Sequence, residues 1–445
     1  MKEIKLSQEQ QAAFDFIINK TNNHDKLTIT ILTGKAGTGK STIVNELKKT
    51  HWRDYCFSAT TAKSALLFGG KTIDSLLGLD RDNGSVKLDT IRNNLSFKTH
   101  NGKKEYKKAI IIDEASMLSD IMLCGIVEAL KLFQHFKNMH LVFVGDWAQL
   151  PPVNANWFFD PVNNELLKDI KIDVLKLTET HRQNESAFLD ALNEIRVGKV
   201  SDKACELLST RVVDSIPNDD ECIKLFYTNN QVVKYNNEKI KEVSEKTDSK
   251  LFSIGLKKVS YIKNKEISDK FEKFVAKNTG LIDESILLCN NCKIVMTHND
   301  GDGSYVNGDT ATLIKYDSSK DYVRVKIDRT GEYLNIDRLD FYVLEDYTLK
   351  LGRGLNPGVK MIDDKRIIGM ISGFSFKQGY ALTIHASQGM TLNKAYIDLK
   401  PFKYVKVHGI VYVALSRVRD VNNLYLSCWD KDLPYRDYSV LEALL

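Results

Sequence analysis

The sequence predicts an α/β protein built around a parallel sheet, and three observations support this fold class. Short apolar segments alternate with helical segments from residue 27 to about residue 178. One of these apolar segments runs into a glycine-rich loop and then a helix, an arrangement typical of phosphate-binding loops. From residue 293 to about 345 the pattern changes to short β segments and turns, which predicts an inserted small β-barrel.

The composition is that of a folded protein without a membrane span. A chain of 445 residues suits roughly two to four domains, and its net charge of +5 permits a polyanionic partner without requiring one. The N-terminus lacks a signal-peptide pattern, so we expect a cytoplasmic protein. The compact size without long tails suits a protein of a bacterium or a phage-infected cell. Seven scattered cysteines favour reduced thiols. Cys289 and Cys292 have no second pair of ligands nearby, which favours semi-buried thiols over a zinc site.

The elements follow in a regular order. Residues 7–20 predict a helix, and "KLTITILTG" predicts a buried strand that enters the glycine loop. The segments "DYCFSAT", "KAIIIDE", "MHLVFVGD" and "IDVLKLT" predict further strands. Residues 186–209 predict two short helices broken at Gly198, and residues 251–285 are Lys-rich and receive no assignment. After the β-rich region, "FKQGYALTIHASQGM" and "VHGIVYVALSRV" return to α/β character.

The glycine loop fits the P-loop spacing. The glycines of "GKAGTGKS" let backbone N–H groups approach phosphates, and the following helix N-terminus adds positive potential. Lys40 can reach the β and γ phosphates, and Ser41 can hold Mg²⁺. The residues predicted to bind the nucleotide here are Gly34, Gly37, Thr38, Gly39, Lys40, Ser41 and Thr42.

Two carboxylates follow a buried strand at the position where ligands bind to parallel sheets. In "AIIIDEAS", four apolar residues precede Asp113 and Glu114. Asp113 is placed to hold Mg²⁺, directly or through water. Glu114 is placed to orient or deprotonate the attacking water. Together with the P-loop, this pair predicts a nucleoside triphosphatase that uses ATP and Mg²⁺.

Four later segments and the start of the chain indicate which class of nucleoside triphosphatase this is. They are "LSQEQ" at the start, "VFVGDWAQLPPV" with Gly145, Asp146, Gln149, Pro151 and Pro152, "LTETHRQ" with Arg182, "ALTIHASQGMT" with Thr383, His385, Gln388 and Gly389, and "YVALSRV" with Arg417. The ordered set resembles the superfamily 1 helicases of the RecD, Dda and Pif type. The resemblance extends from about residue 6 to residue 426.

The resemblance implies two RecA-like P-loop domains with parallel sheets. Residues 1–178 would form the first domain, with a wedge hairpin inserted at residues 79–108. Residues 179–250 and 370–445 would form the second domain. Residues 251–369 would form an inserted subdomain, with an SH3-like β-barrel near residues 290–350.

The resemblance also implies roles for single residues in ATP hydrolysis. Gln10 resembles the glutamine that reads adenine, and Gln149 resembles the sensor that connects the γ-phosphate to the DNA site. Arg182 and Arg417 resemble the two arginines that reach the phosphates, a task that suits a charge-spreading guanidinium. With Lys40 and Glu114 they make the predicted catalytic set, while Gln388 and Gly389 join the predicted nucleotide contacts.

Further residues match positions that touch the DNA strand in the resembled helicases. Hydroxyl and amide groups at such positions bind phosphates without reading the base sequence. The predicted contacts are Thr60, Thr61, Lys63, Thr383 and His385. Two positions depart from the family pattern: Asp74 stands where a histidine is frequent, and Ala386 stands where a lysine is frequent. Both departures would weaken DNA affinity or coupling, and neither touches the ATP chemistry.

A hairpin is predicted inside the insertion of the first domain. In "LSFKTHNGKKEYKK", Asn101 and Gly102 form the strongest short hairpin signal between two extended stretches. The side chains of Leu95, Phe97 and Thr99 alternate and share one face. Helicases of the resembled group place their strand-splitting wedge here, so Phe97 is a predicted DNA contact. The alternative is a surface hairpin with Phe97 packed onto the domain.

The favoured interpretation is an ATP-dependent DNA helicase acting on single-stranded and forked DNA. The 5′ to 3′ direction rests on the resemblance alone. We expect a monomer without a membrane partner, and replication or repair proteins are candidate partners. The alternative is a DNA-stimulated ATPase that remodels protein–DNA complexes without processive unwinding. A metabolite kinase leaves "GDWAQLPP" and "ALSRV" unexplained, and RNA stays open as a substrate.

Overall fold

A computed structural model describes most of the chain in two compact units. One unit comprises residues 1–218 and 387–445, and the other comprises residues 219–386. The described residues are 6–23, 25–35, 37–60, 64–65, 71–79, 84–98, 101, 103–152, 157, 170–179, 187–261, 285–298, 300, 303–306, 308–344, 349–351, 361–362 and 365–437.

The first unit contains a six-stranded sheet in the order β3-β2-β6-β7-β1-β8, and every neighbouring pair in it is parallel. The strands are β1 Thr28–Gly34, β2 Tyr55–Ala59, β3 Lys71–Thr72, β6 Ala109–Asp113, β7 His140–Gly145 and β8 Lys171–Leu177. Because all the strands run the same way, the ends of β1, β2, β6 and β7 meet at one edge of the sheet, called here the carboxyl edge. The predicted parallel sheet is confirmed.

Alternating side chains of the central strands pack into two different cores, one on each face of the sheet. In β6, Ile110 and Ile112 belong to one cluster, whereas Ala109 and Ile111 belong to the other. This follows from the two-residue period of a strand. Because both faces are covered, the strands β1, β6 and β7 are buried along their whole length.

Helices cover both faces of this sheet. The predicted N-terminal helix is present as α1, Gln8–Asn22, and the helix after the P-loop is α2, Lys40–His51. Both contribute apolar residues to the same core cluster. The opposite cluster receives residues from the three helices α3 Ile73–Leu77, α4 Leu88–Asn94 and α5 Asp120–Lys131.

The predicted hairpin between α4 and β6 is confirmed. Strands β4, Ser96–Lys98, and β5, Lys104–Tyr106, pair antiparallel, with Lys98 opposite Lys104. Asn101 lies in a turn, and residues 99, 100 and 102 lie outside the described residues. The root of the hairpin adjoins the start of β6, since Lys107 donates its backbone N–H to the carbonyl of Leu95 at 2.9 Å.

Further elements of the first unit lie in residues 187–209 and in its C-terminal segment, residues 387–445. The predicted helix pair is present as α6, Ala187–Val197, and α7, Asp202–Ser209, with Gly198 left-handed between them. Strands β23, Lys394–Ile397, and β24, Leu424–Leu426, are parallel. Helix α9, Ile410–Leu415, contains the first four residues of the "YVALSRV" segment.

The second unit is rich in antiparallel strands, as the sequence predicts for its central part. One sheet has the order β16-β15-β14-β13-β21, and another has the order β11-β20-β17-β18. Helix α8, Asn229–Lys246, follows β9, which pairs with β22 in parallel. The strands are β9 Cys222–Phe226, β10 Phe252–Gly255, β11 Lys257–Ser260, β12 Ser285–Leu288, β13 Lys293–Met296, β14 Thr310–Asp317, β15 Tyr322–Ile327, β16 Tyr333–Ile336, β17 Leu339–Leu344, β18 Leu349–Leu351, β19 Met361–Ile362, β20 Lys365–Gly373, β21 Phe376–Gln378 and β22 Ala381–Thr383.

The structure also shows the state of the cysteines and the character of the described helices. All seven cysteines are free thiols, and Cys289 and Cys292 are fully buried rather than semi-buried. Among the described residues, no group of three histidine, cysteine or acidic side chains could hold a metal ion. None of the described helices combines the length and the apolar character that crossing a membrane requires.

Candidate active site

The loop between β1 and α2 is the predicted P-loop, and two of its residues have backbone angles that favour glycine. Gly37 and Gly39 have φ angles of 89° and 84°, in the left-handed region that favours glycine. A Cβ atom on Gly39 would lie 2.1 Å from Nε2 of Gln10. No side chain caps the start of α2. Thr42 N–H donates to Gly39 O at 2.9 Å, and the N–H groups of the two residues before it, Lys40 and Ser41, are the ones that an anion at this helix start would contact.

Lys40 is held inside this loop by backbone carbonyls. Its Nζ donates to Gly34 O at 2.6 Å and to Lys35 O at 3.0 Å. Burial lowers the pKa of Lys40, and the charges of Asp146 and Glu114 oppose that shift. An ammonium group surrounded in this way can exchange carbonyl oxygens for phosphate oxygens without a new cost of desolvation.

Gln10 connects the N-terminal helix to the P-loop. Its Oε1 accepts from Ser7 N–H at 3.0 Å, and its Nε2 donates to Thr38 O at 3.0 Å. A glutamine amide has two N–H donors and two acceptor lone pairs. One of each therefore remains, and that pair is what recognition of an adenine edge requires.

Asp113 and Glu114 lie at the carboxyl edge beside the P-loop, where the sequence predicts them. Asp113 ends β6, and Glu114 follows with a φ of 52°, which is uncommon for a residue with a side chain. Thr60 holds this conformation from β2: its N–H donates to Asp113 O at 3.0 Å, and its hydroxyl donates to Glu114 O at 2.7 Å. The strained backbone is thus fixed by a neighbouring strand.

The electrostatics of this acidic pair suit a divalent cation. Burial, followed by the neighbouring Glu114 carboxylate, raises the pKa of Asp113 to about 7. Burial also raises the pKa of Glu114, while Arg417 and Lys40 oppose that shift. Two buried carboxylates that repel each other would be stabilised by a bound metal ion. Asp113 and the exposed Ser41 hydroxyl are oxygen donors of the kind that Mg²⁺ prefers.

A buried ionic cluster that the sequence did not reveal surrounds Asp146, at the end of β7. Arg196, on α6, donates through Nε to both Asp146 carboxylate oxygens, at 3.0 and 3.2 Å. Tyr412, on α9, donates to Oδ2 of Asp146 at 2.9 Å. Burial alone would raise the pKa of Asp146, but Arg196 and Lys40 lower it below its ordinary value. The carboxylate therefore stays ionised and ties three segments together.

A cavity next to this cluster brings several predicted residues together. Its volume is about 1010 Å³, and its lining includes Glu114, Gln149, Gly389 and Arg417. Nε2 of Gln388 lies 3.5 Å from Oε1 of Gln149. The Arg417 guanidinium is buried and donates to Val413 O at 2.8 Å and to Met390 O at 3.1 Å. Its proximity to Glu114 is what opposes the rise of the Glu114 pKa.

The structure brings the predicted ATP-binding residues together, but it does not do the same for the predicted DNA contacts. Thr60 is 3% exposed, and its hydroxyl is engaged by Glu114 O instead of facing solvent. In the second unit, Thr383 Oγ1 accepts from Ala386 N–H at 3.2 Å, and burial lowers the pKa of His385. Thr61, Lys63 and the predicted catalytic Arg182 lie outside the described residues. These DNA roles therefore stay predictions.

Phe97 lies on a strand of the hairpin and contacts a cation at the hairpin root. The Lys107 Nζ atom lies 5.0 Å from the centroid of the Phe97 ring. The ring is half-buried, and Leu95 before it is fully buried. This contact corresponds to the surface-hairpin alternative for Phe97, whereas a wedge role for the tip stays a prediction.

Arg196 and Tyr412 are the residues that sequence reasoning missed. The sequence contained one indication: Phe188, Leu192 and Arg196 are spaced four residues apart, so an arginine occupies the apolar face of its helix. Such a residue requires a buried partner. The sequence did not indicate that this partner is Asp146, which lies fifty residues earlier in the chain.

Known proteins resemble this chain over nearly its whole length. A family model described as an AAA domain matches residues 5–214. The ATP-dependent DNA helicase Pif1 of Bdellovibrio bacteriovorus is 28% identical over 438 residues, which cover 96% of this chain and 89% of that protein. The ATP-dependent DNA helicase Pif1 of Campylobacter jejuni is 28% identical over 412 residues, covering 88% and 87%.

Solved structures share the fold at lower sequence identity. The Pif1 helicase of Candida albicans superposes with a TM-score of 0.72 at 22% identity, and the match covers 99% of each chain. The Bacteroides Pif1 helicase in complex with ADP-AlF3 and single-stranded DNA superposes with a TM-score of 0.70 at 22% identity, covering 99% of this chain and 97% of that one. The chain therefore shares the fold of these structures.

A buried histidine sits against the segment that follows Asp146. Nε2 of His408 lies 3.0 Å from Trp147 O, and its Nδ1 accepts from Asp437 N–H at 2.9 Å. These contacts assign the neutral tautomer with hydrogen on Nε2. Burial, and then the nearby Arg436 charge, lower the pKa of His408 to about 4.

His408 should make the protein lose stability as the pH falls from about 6.5 to 4. Over this range the unfolded state binds a proton at His408 that the folded state rejects, so folding is disfavoured. At 1.36 kcal/mol per pKa unit the loss approaches about 3 kcal/mol. Denaturant unfolding of the wild type and His408→Gln at several pH values measures it. The raised pKa of Asp113 is present in both proteins, so it cancels in the difference. Two curves that stay parallel across this range would contradict the assignment.

Proposed function

The chain resembles superfamily 1 helicases of the RecD, Dda and Pif type over nearly its whole length, and we propose that it hydrolyses ATP to move along single-stranded DNA and to unwind duplex DNA. The observation that carries the proposal is the cavity that Glu114, Gln149, Gly389 and Arg417 line. The residues proposed as hydrolytic base, sensor and phosphate-binding arginine thus line one cavity.

Nucleotide binding would use groups that the structure already holds in place. The N–H groups at the start of α2 and the Lys40 ammonium would bind the β and γ phosphates. Gln10 retains one donor and one acceptor for the adenine edge. Mg²⁺ held by Ser41 and Asp113 would neutralise phosphate charge.

Hydrolysis would follow from the position of Glu114. A water molecule attacks the γ-phosphorus, the bond to the bridging oxygen breaks, and ADP departs while the Glu114 carboxylate accepts the proton of the water. A carboxylate with a raised pKa is a stronger base for this step, provided that it is ionised. The cations Lys40 and Arg417 favour the ionised form. Arg417, together with Arg182 as the resemblance implies, would stabilise the charge that develops on the phosphate oxygens.

Coupling to DNA would pass through residues next to the hydrolytic base. Thr60 hydrogen bonds to the backbone of Glu114, and it begins the segment with Thr61 and Lys63 that the resemblance assigns to DNA. A shift of that segment would therefore move the backbone of the base. We propose single-stranded and forked DNA as substrates and movement from 5′ to 3′, as in the resembled branch.

A second candidate function is a DNA-stimulated ATPase that remodels protein–DNA complexes without processive unwinding. The departures Asp74 and Ala386 favour it, because an acid stands where the family has histidine and a neutral residue where it has lysine. Both changes reduce attraction to phosphates. Strand separation on a forked duplex, measured beside movement on single strands, discriminates the two candidates.

The Glu114→Gln variant should bind ATP normally and hydrolyse it about 10²- to 10⁴-fold more slowly, since an amide cannot accept the proton. Single-turnover kinetics give the rate of hydrolysis, and equilibrium binding gives the affinity for ATP. Both are measured with single-stranded DNA present. Glu128→Gln, on the exposed face of α5, is the matched control and should behave as wild type. Parallel loss of binding and turnover would assign Glu114 a structural role only.

The hairpin tip should matter for unwinding more than for hydrolysis. Replacing residues 99–103 by a two-residue Asn-Gly turn keeps Lys98 opposite Lys104 but shortens the tip. Forked-duplex unwinding should then fall severalfold, while DNA-stimulated ATPase activity stays near the wild-type level, because the shortened tip cannot block one strand. A five-residue Gly/Ser replacement of equal length is the control. Unchanged unwinding in the shortened variant would place the wedge elsewhere, and equal loss of both activities would mean that the hairpin supports the fold.

A further inference from the structure

An exposed aromatic and basic cluster lies where α2 ends and the hairpin returns to the sheet. The Trp52 side chain is 56% exposed. The Arg53 Cζ atom and the Lys107 Nζ atom each lie 5.5 Å from the centroid of the Trp52 ring. Lys107 Nζ also lies 5.0 Å from the Phe97 ring. These contacts link Arg53, Trp52, Lys107 and Phe97, which are called here the amino-edge patch.

Lys107 fixes the geometry of this patch. Its ammonium donates to the Trp52 carbonyl at 2.7 Å while it contacts both rings. Burial lowers its pKa, opposed by Cys56 and Asp54. The Lys107 ammonium has thus given up part of its hydration to join two rings. The indole of Trp52 is held by this contact and is nevertheless more than half exposed, whereas Trp147 is fully buried.

The patch lies at the edge of the sheet opposite to the hydrolytic residues. Trp52 and Arg53 come just before β2, and Lys107 comes just before β6. These two strands are parallel neighbours of five residues each. Since a strand rises about 3.3 Å per residue, Glu114 and the patch are separated by roughly 17 Å of sheet. A change in the patch should therefore leave ATP chemistry intact.

The charge around Trp52 favours an anionic polymer. The cations at the neighbouring end of α2 and at the hairpin root are Lys48, Lys49, Arg53, Lys107 and Lys108, and the carboxylates are Glu46, Asp54 and Glu105, of which Glu105 pairs opposite Phe97. Two of the three carboxylates are already paired, Glu46 with Lys49 at 3.0 Å and Asp54 with Lys108 at 3.1 Å. A net positive surface beside an exposed indole remains.

We propose that the amino-edge patch binds single-stranded DNA, with a base stacked against Trp52 and the adjoining phosphates on Arg53 and the neighbouring lysines. Single strands expose the base faces that stacking needs, whereas a duplex hides them. Arg53 is exposed and can move to admit a base, as a guanidinium can stack on one side of that base. The site extends the proposed helicase function, because it supplies a second grip that requires no ATP hydrolysis.

Tryptophan fluorescence tests the proposal directly. Oligothymidylate is titrated into the wild type and into Trp52→Phe, and the difference between the two emission curves isolates Trp52. Anisotropy of a labelled oligothymidylate reports total binding in the same samples. We expect binding to quench the Trp52 emission, and an oligomer of abasic nucleotides to leave it unchanged. Trp52→Ala should weaken oligothymidylate binding by about fivefold or more, and Trp52→Tyr should restore most of it.

Leu132→Ala, which removes a 71% exposed apolar side chain from the same unit, is the control and should leave binding unchanged. Binding without any change in Trp52 emission, and with equal affinity for Trp52→Ala, would overturn the inference while leaving the helicase proposal intact. Equal quenching by the abasic oligomer would also overturn it, since the contact would then be to phosphate alone. Absence of any binding by the wild type would overturn the inference and would also count against the proposed function itself.

Discussion

The buried carboxylate of Asp146 is the interaction on which the organisation of the active site depends. It is 2% exposed, so it must be paired to remain charged. Arg196 and Tyr412 supply the pairing, and the Ala148 N–H adds a further bond at 3.2 Å. Because those partners belong to α6 and α9, one charge fixes the end of β7 against both helices. The helix α9 also leads directly to Arg417.

The same cluster is reinforced from the C-terminal segment. Arg436 donates to Arg196 O at 2.6 Å and to Ile195 O at 2.7 Å, so it closes the end of α6. Its guanidinium also lies 5.5 Å from the Tyr412 ring. Removing Asp146 or Arg196 would leave the other charge unpaired in the interior, which is far more costly than losing an exposed ion pair. The residues proposed to bind the nucleotide are thus positioned by residues for which no nucleotide contact is proposed.

The sequence predicted what depends on local pattern. The strand before Asp113 and the loop before Lys40 follow from apolar runs and glycine spacing, and the structure contains both. The Asn-Gly turn predicted the hairpin, since its signal lies within a few residues. Features that join distant segments could not be predicted in this way. Thr60 was expected to offer its hydroxyl to DNA, but the pairing of β2 with β6 brings that hydroxyl to Glu114 O.

In this account the hydrogen bond from Tyr412 to Asp146 positions the hydrolytic site. A double-mutant cycle tests this role directly. The cycle combines Asp146→Asn with Tyr412→Phe and measures the DNA-stimulated turnover of ATP. Tyr412→Phe removes only the hydroxyl, and Asp146→Asn keeps the size of the side chain while it removes the charge. The account predicts a coupling free energy of about 1 kcal/mol or more between the two changes, because Tyr412→Phe removes this hydrogen bond and Asp146→Asn removes the charge that strengthens it. Effects on turnover that add to within about 0.3 kcal/mol would contradict it.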